Sequence, residues 1–369
     1  MNDQFIERAF LLAEESLGQV SPRPSVGAVI IKDNKLISEG KTDPQPGNHA
    51  EVNAINKCNE DIVNSTLICT LEPHSYHGVS PPCTEAIIKS GIKKVICPIE
   101  DPNPKVSGNG FRQLIHAGIE IERNFSKKHI KRAKKIIEGF EKSLVHKIPF
   151  ISLKIASSID GKISTNSNQS KWITSEKSRN YGRLLRSKYD AVMTGINTIE
   201  SDNPQLTFRD KNDNNTGYPR HKIVLDSNGK INQDAKIFDS KEKTIVFTTD
   251  KNKINFKKNN LEIFEVGNID GRTNLSEIMK ILNNLGIHKI LVESGNILNT
   301  ELIKKNFVDK VYFFISPKII GGDKTSVGDI GIQNIKDIIM LRDLEYKYLD
   351  EDILLSGYIK EKNNVFRNN

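Results

Sequence analysis

His49-Ala50-Glu51, followed by Thr70-Leu71-Glu72-Pro73-His74-Ser75-Tyr76-His77-Gly78-Val79-Ser80-Pro81-Pro82-Cys83, is the stretch that decides the fold of this 369-residue chain. In one kind of zinc site a His and two Cys hold the metal, and a Glu two residues after the His moves protons without touching it. His49, Glu51 and Cys83 fill three of those four places, and His74 stands where the first Cys belongs. The order makes a site only if the chain folds in a particular way. His49 must lie near a helix start, a strand over 66–71 must feed the His74 loop, and Cys83 must open the next helix.

Outward from that stretch the pattern is α/β. Helical periodicity runs from Phe5 to Leu17, and strand patterns cover 26–31 and 35–39 with Asp33-Asn34 as the turn between them. A helix follows over about 49–56, then the strand at 66–71. Further on come a helix over 83–90 ended by Gly91, a strand at 94–98 and a helix over 111–117 closed by Gly118. A basic helix over about 126–143 leads to Lys147-Ile148-Pro149, after which strand periodicity restarts at Phe150. That restart sets two domains, 1–146 and 147–369. The second carries strands near 150–156, 190–194, 222–226, 244–248, 262–266, 288–293 and 309–316, with helices near 175–187, 275–285 and 297–305. Strands and helices alternating in this way imply mixed sheets covered by helices.

Bulk composition narrows the class. The chain is 37% hydrophobic and 27% charged, with no apolar run near the ~20 residues of a membrane span. Asp3, Glu7, Glu14 and Glu15 interrupt the N-terminal apolar residues, unlike a signal peptide, so a cytoplasmic location is expected. The net charge of +8 raises nucleic acid as a partner. Lys, Ile and Asn are instead spread along the whole chain, including an Asn-rich loop at 212–215 and the tail at 363–369. The run Lys127-Lys128-His129-Ile130-Lys131-Arg132 has Ile130, Ala133, Ile137 and Phe140 at helical spacing and reads as a solvated helix face. We therefore expect neither a nucleic-acid nor a membrane partner. Four cysteines make no disulfide framework; Cys69 and Cys97 sit in apolar runs, and only Cys83 has a chemical context.

The chemistry implied by the first motif is hydrolytic deamination of an aminopyrimidine. Bound Zn2+ lowers the pKa of its water toward ~7, three protein ligands leave the fourth position to that water, and Glu51 is the candidate proton carrier. His74 has two readings: a third ligand in a His2Cys site with His49 and Cys83, or a loop histidine that binds nothing. Imidazole is a good zinc ligand, but it is longer than a thiolate and donates less charge.

The whole set of motifs resembles the RibD family of riboflavin biosynthesis, the bifunctional diaminohydroxyphosphoribosylaminopyrimidine deaminase and 5-amino-6-(5-phosphoribosylamino)uracil reductase. The motifs are Pro24-Ser25-Val26-Gly27, His49-Ala50-Glu51, Thr70-Leu71-Glu72-Pro73, Pro81-Pro82-Cys83 and Asp101-Pro102-Asn103-Pro104. The resemblance runs nearly end to end. It implies a cytidine-deaminase-like three-layer α/β/α first domain and a dihydrofolate-reductase-like α/β second domain. Its departures cluster around the metal pocket. Arg23 replaces an Asn, Thr42 a His, His74 a Cys, Tyr76 a His and Val79 a basic residue, while His77 stands beside Tyr76 as a second histidine for the lost one. The resemblance therefore leaves an alternative, a reductase whose deaminase half is only structural. A rival of another class, a nucleic-acid deaminase, leaves the second half unexplained.

In that second half the resemblance rests on Leu153-Lys154-Ile155-Ala156-Ser157, Ser170-Lys171-Trp172-Ile173-Thr174, Gly195-Ile196-Asn197-Thr198, Leu225-Asp226-Ser227, Val292-Glu293-Ser294-Gly295 and Ser316-Pro317-Lys318. By matching position it implies NADPH contacts at Ala156, Trp172, Thr198, Asp202, Ser227, Gly295 and Asn296. It implies substrate contacts at Ser170, Arg186, Leu206, Arg209 and Glu293, with the two arginines as phosphate clamps. A strand running into Glu293-Ser294-Gly295-Asn296 and then a helix suits a dinucleotide phosphate. Ser294 replaces a Gly there; serine tolerates fewer backbone conformations, which is expected to lower cofactor affinity, while its hydroxyl could contact phosphate. Asp202 and Glu293 are the carboxylates available for proton movement. The implied partner is a phosphorylated ribosylamino-pyrimidine, and a homo-oligomer stays open.

Overall fold

The structure, a computed structural model, describes residues 3–210, 212 and 214–360; the tail at 363–369 and Asp213 of the Asn-rich loop lie outside the described residues. The chain divides into two units, Met1–Ile148 and Pro149–Asn369. No helix among the described residues is long and apolar enough to cross a membrane.

In the first unit α1 (Asp3–Glu15) leads into β1 (Gly27–Lys32) and β2 (Lys35–Lys41). Then follow α2 (Ala50–Lys57), β3 (Thr66–Cys69), α3 (Cys83–Lys89), β4 (Lys94–Ile96), α4 (Asn109–His116), β5 (Glu120–Glu122) and α5 (Lys127–His146). The sheet order is β2-β1-β3-β4-β5, with β1 antiparallel to both neighbours and β3, β4 and β5 parallel. The β1–β2 turn is local chemistry. Asp33 and Asn34 take φ of 49° and 59°, the left-handed backbone of a two-residue hairpin turn, which Asp and Asn tolerate better than other side chains.

Two glycines set how closely the helices lie on the sheet. A Cβ on Gly27 would come 2.0 Å from the Ala9 carbonyl oxygen in α1, and one on Gly40 would come 2.4 Å from that of Ala50 in α2. Ala28 pairs with Gly40 across the strands, so Gly27, one residue away, points to the opposite face. α1 and α2 thus cover opposite faces, which makes three layers. Helix α1 buries Phe5, Ile6, Ala9, Phe10, Leu12 and Ala13 against the sheet. In α5, Lys127, Lys128, Lys131 and Lys134 are exposed while Ala133, Ile136 and Ile137 are buried. Arg132 turns inward, bonded to Glu7 at 2.5 Å and Glu14 at 2.7 Å and stacked over Phe10. The basic run is a solvated helix face with one residue that ties α5 to α1.

The second unit runs β6 (Phe150–Ser158), α6 (Glu176–Arg186), β7 (Ala191–Gly195), α7 (Ile196–Asp202), β8 (His221–Leu225), β9 (Lys243–Thr248) and β10 (Leu261–Glu265). A small ribbon of β11 (Asn268–Ile269) and β12 (Arg272–Thr273) precedes α8 (Leu275–Asn284), β13 (Lys289–Val292), α9 (Asn296–Lys304), β14 (Val308–Ser316), β15 (Leu341–Leu349) and β16 (Asp352–Ile359). Its main sheet has the order β10-β9-β8-β7-β13-β6-β14-β16-β15. The first seven in that order are mutually parallel, and β16 and β15 add antiparallel at one edge. From β7 the chain steps outward to β10 and then returns to place β13 between β7 and β6. The carboxyl ends of β8, β7, β13 and β6 therefore lie side by side, with the order of strand addition switching sides among them, where open α/β sheets bind ligands.

The periodic strands and helices stand close to where the sequence puts them. Helix α7, strand β5, the β11–β12 ribbon and the β15–β16 hairpin were not predicted. Helix α7 is too short for a periodic stripe, and β15 leaves nearly every residue exposed, so neither carries the burial pattern that marks an element in sequence.

Candidate active sites

In the first unit His49 is the N-cap of α2, Glu51 lies in its first turn, and Cys83 begins α3. The strand β3 delivers the His74 loop. His49 Nδ1 lies 3.1 Å from Cys83 Sγ, and the His49 and His74 rings meet edge-on with centroids 5.3 Å apart. His74 Nδ1 is buried without a hydrogen-bond partner, and the Tyr76 ring packs on His74 at 4.3 Å. Glu51 is almost wholly buried, and burial pushes its pKa up to about 7 despite hydrogen bonds from its own backbone and from Cys83. Burial, then the charges of Arg23 and His74, hold His49 down at about 4. Burial also pushes the Cys83 thiol up.

Of the changed positions, Arg23 and Tyr76 lie against the donors or their loops. The guanidinium of Arg23 is buried; Nη1 donates to the Gly47 carbonyl at 2.5 Å and Nη2 to Ser80 Oγ at 2.8 Å. Thr42 Oγ1 accepts from the Val26 N–H at 3.1 Å, serving as a backbone tie. Val79 is exposed. His77 does not replace the lost histidine: it faces solvent and pairs with Glu85 at 2.9 Å. Glu72 has a structural task. Its Oε2 accepts from the Asp101 and Gly108 N–H groups and its Oε1 from those of Gly110 and Phe111, so it caps the start of α4.

The donors are right in kind for zinc but not in arrangement. Among the described residues no three His, Cys, Asp or Glu side chains form a group that could hold a metal ion. Tetrahedral zinc would hold an imidazole nitrogen and a thiolate roughly 3.5 Å apart; the 3.1 Å between His49 and Cys83 is a direct contact.

In the second unit Glu293 follows β13 and Arg186 ends α6. Arg186 Nε donates to Glu293 Oε1 at 2.6 Å, Nη2 donates to Oε2 at 3.1 Å, and Nη1 donates to the Thr207 carbonyl at 2.8 Å. The expected clamp thus has its fork on Glu293, and the third bond ties in the loop after α7. Lys154, which sequence reasoning passed over, stands on β6 with Nζ 3.7 Å from Glu293 Oε2 and 5.7 Å above the Phe314 ring. Burial opposes a charge on Glu293, but Arg186 and then Lys154 outweigh it and hold its pKa down at about 2. A lone Lys within a strand reads as a surface residue; its only sequence signal is the Leu153-Lys154-Ile155 run.

Beside this cluster two helices start together. Gly195 and Gly295 are the N-caps of α7 and α9, and β7 and β13 are paired. A Cβ added to either glycine would meet nothing within 4 Å, so free space lies before both caps. Thr198 and Asn296 lie in the first turns of these helices, and Asn296 Nδ2 donates to Thr325 at 2.9 Å and 2.8 Å. Ser294 Oγ donates to Asn299 Oδ1 at 2.8 Å, so its hydroxyl turns into its own helix rather than outward. Ser294 is not among the positive-φ residues, which is why a serine fits there. Ala156 is near the carboxyl end of β6, and Ser227 follows β8 and accepts from the Thr273 N–H at 3.0 Å. Strand order thus sets Ala156, Thr198, Ser227, Gly295 and Asn296 along one edge. Ser170 and Trp172 come from the loop before α6, with the Arg179 guanidinium 4.4 Å over the Trp172 ring. Asp202 ends α7 exposed to solvent, Leu206 is buried at φ 55°, and Arg209 Nη2 donates to Gln205 Oε1 at 2.8 Å.

Comparison with known proteins agrees with both halves. The family model described as the RibD C-terminal domain matches residues 149–355, and that described as the cytidine and deoxycytidylate deaminase zinc-binding region matches residues 1–99. The riboflavin biosynthesis protein RibD of Aquifex aeolicus is 35% identical over 96% of this chain and 98% of that protein. RibD of Escherichia coli is 30% identical over 96% and 98%. Among solved structures, Acinetobacter baumannii RibD has a TM-score of 0.85 at 30% identity, covering 97% of this chain and 98% of that one. A deaminase/reductase from Thermotoga maritima has a TM-score of 0.83 at 33% identity with the same coverage.

Proposed function

Since the chain belongs to the RibD family of riboflavin biosynthesis and carries both the family's deaminase domain and its NADPH-using reductase domain, we propose that the second domain reduces the ribosyl group of 5-amino-6-(5-phosphoribosylamino)uracil to ribityl. The first domain is the frame of the preceding hydrolytic deamination. The observation that carries the reductive reading is the Glu293–Arg186–Lys154 cluster at the carboxyl edge, beside the paired helix starts of α7 and α9.

The open caps at Gly195 and Gly295 fit a dinucleotide, because backbone N–H groups and the positive helix ends point into space that a side chain would otherwise take. Gly295 and Asn296 would hold a phosphate. Ala156, Thr198, Asp202 and Ser227 would line the rest, and Trp172 would offer a flat apolar face. When bound, NADPH supplies a hydride. The protein's own residues position the acceptor. Glu293, kept ionised, accepts hydrogen bonds from sugar hydroxyls, and Ser170 and Leu206 frame the base. Arg209 takes the phosphate, joined by Arg186 through N–H groups left over from Glu293. Lys154, 3.7 Å from Glu293 Oε2, stands next to the place where the reduced sugar needs a proton.

The test is to offer the purified chain 5-amino-6-(5-phosphoribosylamino)uracil with NADPH and follow loss of NADPH absorbance. Oxidation that depends on the substrate is expected. A rate equal to the substrate-free control would rule the proposal out.

A further inference from the structure

A side-chain cation joins the loops that carry two of the first unit's donors. Arg23 is buried and donates to two loops at once, to the Gly47 carbonyl two residues before His49 and to Ser80 three residues before Cys83. Holding those two loops together is what a metal bound by His49 and Cys83 would do. The guanidinium's charge acts on His49, His74 and Cys83 together. His49 and Cys83 meet each other directly, and Tyr76 packs on the third donor.

We infer that Arg23 takes the place of the metal ion, so that this chain keeps its deaminase fold without zinc and leaves the hydrolytic deamination that makes its reductase substrate to another enzyme. Two cations in one poorly solvated pocket repel strongly, and a buried guanidinium with two hydrogen bonds gives way only if both are broken. The inference rests on the family reading of the first domain but not on the reductase activity. Zinc content reads the inference and NADPH oxidation reads that activity, so one can fail without the other.

The experiment uses the full chain, produced with added zinc and then desalted, with metal measured by mass spectrometry. Well under half an equivalent of zinc per chain is expected, with a melting curve that a strong chelator leaves in place. Arg23→Asn should raise zinc affinity at least about tenfold in competition with a zinc-binding dye, since it removes a unit charge that acts on all three donors. Arg23→Asn with His74→Cys should bring the content close to one per chain and make melting sensitive to chelator. One tightly held zinc in the unchanged chain, or an affinity that Arg23→Asn leaves the same, would overturn the inference. If the variants do not fold, the zinc content and chelator response of the unchanged chain still decide it. Ammonia release from the diaminopyrimidine phosphate by the unchanged chain would also overturn it.

Discussion

Glu293 is ionised in the interior because Arg186 grips both its oxygens and Lys154 stands 3.7 Å away. Removing one partner of such a pair strands the other charge, at a cost of about 3–5 kcal/mol. Glu293→Gln should therefore lower the unfolding free energy of the second unit by about that much, read by urea denaturation, and should abolish reductase turnover. Adding Arg186→Met should restore much of the stability and none of the turnover, because the charge is gone but so is the site. The pair also sets an acid limit. The folded pKa of Glu293, about 2, lies below its ordinary 4.5, so its contribution is present above about pH 4.5 and is lost as pH falls through about 2. The midpoint urea concentration of the second unit should fall over that window, and in Glu293→Gln this part of the slope should vanish. The sequence made these residue types and positions legible but not their meeting, since 107 residues separate Arg186 from Glu293. Lys154 was illegible for the same reason. Arg23 was visible as a departure, yet only folded geometry puts its guanidinium between the loops of His49 and Cys83.

Elements are positioned by the closeness of their backbones as much as by their apolar stripes. Helix α2 carries His49 and Glu51, and Gly40 lets it lie on β2 with no room for a methyl group: the added Cβ would meet Ala50 O at 2.4 Å and Ala54 N at 2.5 Å. Both are backbone atoms, so Gly40→Ala must push the whole helix outward. We expect a loss of about 1–3 kcal/mol in the first unit, seen as a lower melting temperature, with an unchanged melting curve counting against this role for Gly40. The hairpin before it was legible because Asp33-Asn34 carries its own turn chemistry, and α1 and α5 because their apolar residues recur at helical spacing. Helix α7 and the β15–β16 hairpin were not. Seven residues give α7 no periodic stripe, and β15 is held by backbone pairing to β16 with little side-chain burial to leave a trace.

Each half of the chain buries its own apolar residues. The first unit gathers Phe10, Leu67, Ile68, Ile87 and Leu114, and the second gathers Tyr189, Val192, Val224, Val246 and Leu291. Apolar residues buried within each unit imply an unfolding equilibrium for each, since cooperativity follows shared burial rather than the covalent chain. A ligand that binds only one folded unit should then stabilise that unit alone, by RT ln(1 + [L]/Kd), or about 2.7 kcal/mol at a hundred times the dissociation constant. NADPH, proposed to lie against α7 and α9, supplies the test by hydrogen exchange. The slowest amides of β7 and β13 exchange through global opening of the second unit, so they should slow about 100-fold in saturating NADPH. Those of β1 and β3 in the first unit should keep their rates. Slowing of both sets by the same factor would mean that the chain opens as one body. Slowing of neither would remove NADPH from the carboxyl edge, and with it the proposed reduction.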